Sequence, residues 1–117
     1  MVLTRESIVA LLETNDKAVA RALVVLYNNQ TADEQETNST HQHNGRGFSG
    51  FDADIGTKMA KFYLERGYLT KGQVAVWRKP TKGGIRIGRY WRQLLAAAEE
   101  KQRQAVEDIS FNFGANV

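Results

Sequence analysis

Asp16-Lys17-Ala18-Val19-Ala20-Arg21-Ala22-Leu23-Val24-Val25-Leu26-Tyr27-Asn28 is the stretch on which the fold turns. Val19, Ala22, Leu23 and Leu26 recur at the three- and four-residue spacing of one helix face, and Tyr27 widens the stripe. The spacing predicts a helix over 17–28, preceded by Thr14-Asn15-Asp16, which reads as a stop followed by a new N-cap. Upstream, Thr4 can cap a first helix through Leu12, with Ile8, Leu11 and Leu12 on one face. Downstream, Thr31-Ala32-Asp33-Glu34 has the spacing of a capping box, but Gln35 to Thr40 is polar throughout. That segment reads as a frayed helix or as an extension of the helix before it.

From Asn38 to Gly50 the chain changes character. Gly45, Gly47 and Gly50, with Asn44 and Ser49 among them, exclude regular structure, while Phe48 and Phe51 offer anchors. Asp52 then opens a helix of roughly fifteen residues, with Ile55, Met59, Phe62 and Tyr63 as its buried stripe and Gly67 as a left-handed stop. Thr70 with Gln73 makes a second capping box, opening a short helix through Arg78 with Val74 and Trp77 inward. Lys79-Pro80-Thr81-Lys82-Gly83-Gly84 ends it, since proline and paired glycines cannot continue a helix. A long helix is expected from about Ile85 to Glu107, with Ile87, Trp91, Leu94, Leu95 and Ala98 inward. Residues 109–117 read as a tail, although Ile109, Phe111 and Phe113 alternate as a strand or docking segment would.

Helices joined by short turns give a mainly α fold, a small array of four to five helices in one domain over 1–108. Its parts are an acidic helical hairpin (4–37), a Gly-rich loop (38–51) and a basic helical part (52–107), with residues 36–44 as a possible linker. The 117 residues suit one domain, which buries roughly two thirds of its unfolded surface. The absence of cysteine excludes disulfides, thiolate zinc sites and cysteine nucleophiles. No apolar run reaches the ~20 residues of a membrane span, and Met1 to Glu6 lacks a signal core, so a cytoplasmic location is expected.

Charge carries the functional signal. Between Lys58 and Arg92 stand ten basic residues (Lys58, Lys61, Arg66, Lys71, Arg78, Lys79, Lys82, Arg86, Arg89, Arg92) and one acid, Glu65. That stretch is +9, so the rest of a chain whose total is +3 carries −6. An acidic piece joined to a strongly basic one points to a polyanionic partner. On a continuous helix Arg86, Arg89 and Gln93 share a face, with Arg92 on its edge and Tyr90 flanking it. Arginines one turn apart beside an aromatic ring suit phosphate contacts with stacking. The alternative is a solvated face, or one that meets an acidic protein.

The loop Asn44-Gly45-Arg46-Gly47-Phe48-Ser49-Gly50 admits two readings. Glycine N–H groups with Arg46, ahead of a helix N-terminus, can hold a phosphate. Against this, no Lys-Ser or Lys-Thr follows the glycines, and Asp52 and Asp54 occupy the first turn, so a tight turn pinned by Phe48 is the other reading. His41 and His43 could touch a metal, but two ligands do not close a site, and no metal or cofactor is expected. Asp52/Asp54 and Glu99/Glu100 show no desolvation pattern and Ser49 has no partnering histidine arrangement, so no catalytic residue and no enzyme activity is expected.

Three pieces occur together and in order: Ala22-Leu23-Val24-Val25-Leu26-Tyr27-Asn28-Asn29-Gln30-Thr31, then Asn44-Gly45-Arg46-Gly47-Phe48-Ser49-Gly50-Phe51-Asp52-Ala53, then Leu69-Thr70-Lys71-Gly72-Gln73-Val74-Ala75. With Tyr90-Trp91-Arg92-Gln93-Leu94 behind them, they resemble a short module of phage- and plasmid-encoded proteins that is also a region of some larger helicase-like proteins. The likeness spans about residues 15–98 and departs from the usual pattern at Trp77 to Gly84, where the connection is longer. The resemblance implies a nucleic-acid-associated element of mobile DNA, with no catalytic residue, and directs attention to Asn44–Phe51 and Arg86–Leu94.

The expected function is therefore a nucleic-acid-binding accessory protein, with DNA favoured over RNA. Its expected contacts are Arg46, Lys58, Lys61, Arg78, Lys79, Lys82, Arg86, Arg89, Tyr90, Arg92 and Gln93, together with loop residues Asn44, Gly45, Gly47, Phe48 and Gly50. The alternative is a protein-binding inhibitor or adaptor acting on a host or phage protein. Self-association through the last long helix is a further expectation, with Ala96 to Ala98 admitting a close second helix. The binding expectation requires the cations to converge into one continuous strip.

Overall fold

The computed structural model describes residues 3–37 and 47–115, with side chains over 3–31 and 47–105. The chain is mainly helical, as the periodicity requires, and the five α-helices among the described residues form one small globule. Helix α1 (Arg5–Thr14) starts on a reciprocal capping box, in which Thr4 and Ser7 each satisfy the other's backbone N–H. Asn15 both stops α1, its N–H bonding Leu11 O, and caps α2 (Asp16–Thr37), its Oδ1 accepting the N–H of Ala18 at 3.1 Å. Of the two readings of Thr31, the extension holds. Its hydroxyl donates to Tyr27 O at 3.0 Å instead of capping a new helix, and α2 continues.

Helix α3 (Ala53–Arg66) ends at Gly67, whose φ of 81° and bond to Tyr63 O are the expected left-handed stop. Its buried face differs from the expected one. Asp52, Gly56 and Ala60 face inward, Ile55 and Met59 flank them, and Phe62 and Tyr63 stay half-exposed. Small residues are needed there because α3 lies along α2 and the Phe48 ring rests on Gly56, where a Cβ would stand 2.5 Å from the ring carbons. Helix α4 (Lys71–Trp77) opens on the Thr70/Gln73 capping box and buries Val74 and Trp77.

The long final helix is corrected at both ends. Pro80–Thr81 (β1) and Gly84–Ile85 (β2) pair antiparallel around Lys82-Gly83, Pro80 opposite Ile85. A 3-10 helix, Arg86–Tyr90, follows, and α5 begins at Trp91. Gly84 at φ 115° lets the chain turn, and Arg86 N bonds Lys79 O at 2.9 Å to close the hairpin, so helix cannot begin at Ile85. At the far end, α5 (Trp91–Ala115) continues through residues expected as a tail. The core unites α1, α2, α4 and the 3-10 segment through Leu12, Val19, Leu23, Leu26, Trp77 and Ile87. Among the described residues no helix is long and apolar enough to cross a membrane.

Candidate nucleic-acid interface

The expected site residues separate into those the fold consumes and those it presents. Asp52 is 0% exposed and pairs with Arg86, whose Nη2 stands 2.5 Å from Oδ1 and whose Nε donates to the same oxygen at 3.1 Å. Tyr90 donates its hydroxyl to the other carboxylate oxygen and accepts the N–H of Ser49 at 3.2 Å. Burial, and then the hydrogen bond to Asp52, pushes the Tyr90 hydroxyl above its ordinary value of 10.0. The Arg86 guanidinium also lies over the rings of Trp77 at 5.0 Å and Phe51 at 5.6 Å. Arg86 and Tyr90, expected on a solvent-facing stripe, thus clamp the 3-10 segment to the start of α3.

Gln93 is consumed in the same way. Its Oε1 accepts the Gly47 N–H at 2.6 Å and the Asn29 amide at 3.0 Å, while its Nε2 donates to Gly47 O at 3.0 Å. Phe48 sits buried between Trp77, with centroids 5.8 Å apart, and Tyr90, edge-on at 6.1 Å. Gly47, at φ 87°, passes so close to α2 that a Cβ would meet Gln30 at 2.5 Å. Of the two loop readings, the described part, Gly47 to Gly50, is the pinned turn, with the N–H groups of Gly47 and Ser49 turned inward. Asn44, Gly45, Arg46, His41 and His43 lie outside the described residues.

Three of the ten cations, Arg86, Arg78 and Lys58, are paired with carboxylates, so the surface open to a polyanion rests on the remainder. Besides Arg86, Arg78 donates to Leu12 O at 2.9 Å and pairs with Asp16 at 2.6 Å, tying α4 to the α1–α2 junction. Lys58 pairs with Asp54 one turn away on α3, at 3.2 Å. Lys61, on α3, lies over the Tyr27 ring at 6.0 Å, and Arg66, at the end of α3, over Phe62 at 5.8 Å. A hairpin and a 3-10 turn replace the first turns of the expected helix, so Arg86, Arg89 and Gln93 do not share its face.

What the fold presents is smaller. Lys79 and Lys82 are exposed on the hairpin, and Arg89 and Arg92 are exposed at the start of the last helical segment. Two further residues join them, and sequence reading missed both for this role. Arg5 of α1 lies 5.3 Å from the centre of the half-buried Trp91 ring, and Arg92 lies 5.4 Å from the same ring. Arg5 also borders a groove of about 290 Å3 with Gly83 and Gly84 of the hairpin and Gly88 of the 3-10 segment. Glu6 and Glu13 stand on its α1 side. Trp91 falls at a core spacing in sequence, and its half exposure depends on how α1 crosses α5, which no local pattern encodes. No family model, no curated protein and no solved structure matches this chain.

Proposed function

We propose that the protein is a non-enzymatic nucleic-acid-binding accessory protein of a phage, plasmid or other mobile element. In this reading it holds the phosphate backbone, with little base specificity, through Lys79, Lys82, Arg89, Arg92 and Arg5. The observation that carries the reading is Trp91, an aromatic ring flanked by two guanidinium groups within a segment, residues 66–98, that contains no acid. Guanidinium groups at an aromatic face combine phosphate attraction with a stacking platform for an unpaired base. The resemblance of the three sequence pieces to mobile-element proteins supports the same reading.

The test is a titration of single- and double-stranded DNA and RNA at two ionic strengths. Five neutralised phosphates imply that fourfold more salt weakens duplex DNA binding by roughly 2–3 orders of magnitude. Lys79→Gln with Lys82→Gln is expected to lower the salt slope by about two, with similar losses on every sequence. Trp91 fluorescence should quench on single strands while Trp77, fully buried, does not respond. Binding indifferent to salt and to these substitutions overturns the reading and leaves the protein-binding adaptor.

A further inference from the structure

A second groove, between α1, α2 and the first half of α5, has no part in the surface just described. It encloses about 380 Å3 over Leu12, Ala22, Leu94 and Ala98, and Leu11 remains 37% exposed at its lip. Lys17, Arg21 and Lys101 border it, and among the described residues no carboxylate does. The acids that adjoin these cations in sequence are committed elsewhere, Asp16 to Arg78 and Glu100 to Arg103. Among the described residues, none of the three cations makes an ion pair.

The cations gather at one end of the groove. The Asn29 amide donates to Gln93 at 3.0 Å. From that contact α2 leads back through Val25 and Ala22 to Ala18, while α5 leads on through Leu94 and Ala98 to Lys101, so the two helices run antiparallel along the groove. Arg21 and Lys101 each lie eight residues from the contact, about 12 Å along their helices, which sets them level with one another. Lys17 stands one turn beyond Arg21 on the same edge of α2. Asn15 borders this end as well. Its Oδ1 accepts the Ala18 N–H at 3.1 Å, which leaves its Nδ2 as a further donor there. The other end, at Val25 and Leu94, is apolar.

Size selects the class of occupant. Ala18 and Val25, seven residues apart, set the length of the trough at about 10 Å, or two turns of helix. A stable protein partner covers about 800 Å2 of each surface, more than two turns offer. Small-molecule sites begin at about 300 Å3 and occur between the helices of bundles. We propose that the groove binds a single-chain amphiphilic anion, a medium-chain alkyl carboxylate. Its tail lies over Ala22, Val25 and Leu94, and its carboxylate sits between Arg21, Lys101 and Lys17. The tail removes apolar surface, the Leu11 lip included, from water, and the head meets cations that have no carboxylate of their own.

Calorimetric titration of the full chain with decanoate, below its micelle concentration, tests this together with alanine-methyl NMR. Decanoate should bind at one site and shift the methyls of Ala18, Ala22, Ala97 and Ala98. Decanol should bind roughly tenfold more weakly, as three exposed charge contacts imply, and decyltrimethylammonium more weakly still. Acetate, which has no tail, should shift none of these methyls. Lys17→Gln, Arg21→Gln and Lys101→Gln combined should bring decanoate down to the affinity of decanol and leave decanol unchanged. Ala97→Leu fills the trough and should abolish binding of both. Circular dichroism of each variant checks that it has folded. Equal wild-type affinities for decanoate and decanol, methyl shifts away from these alanines, or a triple variant that holds decanoate undiminished overturns the proposal. So does a groove that ignores decanoate and takes an acidic helical peptide instead.

Discussion

Asp52 stands where a sequence reading puts an exposed first-turn acid, yet its carboxylate has no contact with solvent and both its oxygens are occupied, by Arg86 and by Tyr90. A buried pair of this kind adds little net stability, but removing one member strands the other charge. Asp52→Asn should therefore lower stability by about 3–5 kcal/mol in urea unfolding. Arg86→Gln added to that background should cost much less than it does alone, since the two share one interaction. Strict additivity would show that the pair does not act as a unit. Tyr90 makes a separate, pH-dependent contribution. Because its folded value is raised, its stabilising effect is complete below the unfolded value and is lost as pH rises from about 10 through the higher folded value. In Tyr90→Phe the alkaline fall in unfolding free energy should be shallower than in the wild type, even though the variant starts from lower stability at neutral pH. The Tyr90–Asp52 contact joins residues 38 positions apart, so no local pattern could disclose it.

Among the elements, capping chemistry was the most legible signal. Thr4, Thr70 and Gly67 do what their residue types imply, because each acts within one turn of itself. The buried face of α3 was misread for the opposite reason. Ile55 and Met59 pack against the core as expected, but Phe62 and Tyr63 stay half-exposed, and close packing on α2 and Phe48 leaves the fully buried positions of α3 to Gly56 and Ala60. Two glycines make this measurable. Gly56→Ala forces a Cβ to 2.5 Å from the Phe48 ring and should destabilise by about 1–3 kcal/mol through overpacking. Gly72→Ala, in the exposed first turn of α4 with no atom closer than 4.0 Å to the new Cβ, should stabilise by roughly 0.5–1 kcal/mol. Thermal melts of the two variants should move in opposite directions. A shared direction would contradict the packing described for α3.

At the scale of the whole molecule, the division into an acidic hairpin and a basic part is a division of charge and not of folding. Val19, Leu23 and Leu26 from one side and Trp77, Ile87 and Leu94 from the other form a single core, and Arg78 ties α4 to the α1–α2 junction. Residues 1–37 and 47–117 expressed separately should each fail to unfold cooperatively, and mixing them should be needed to recover the helical signal. Cooperative melting of either piece alone would refute a shared core. The sequence by itself determined most of the helices, the caps at Thr4, Thr70 and Gly67 and the segregation of charge, because periodicity, capping and composition are properties of neighbouring residues; the hairpin and 3-10 turn before α5 were not among them. Which cations remain available was decided only when the chain closed on itself. Burying Asp52 demanded Arg86, seating the Gly47 turn demanded Gln93, and the crossing of α1 over α5 placed Arg5 on Trp91. Each of those pairings joins residues more than thirty positions apart; the first two are set by the need to satisfy polar groups taken out of water, the third by how the helices cross, and none by a local preference.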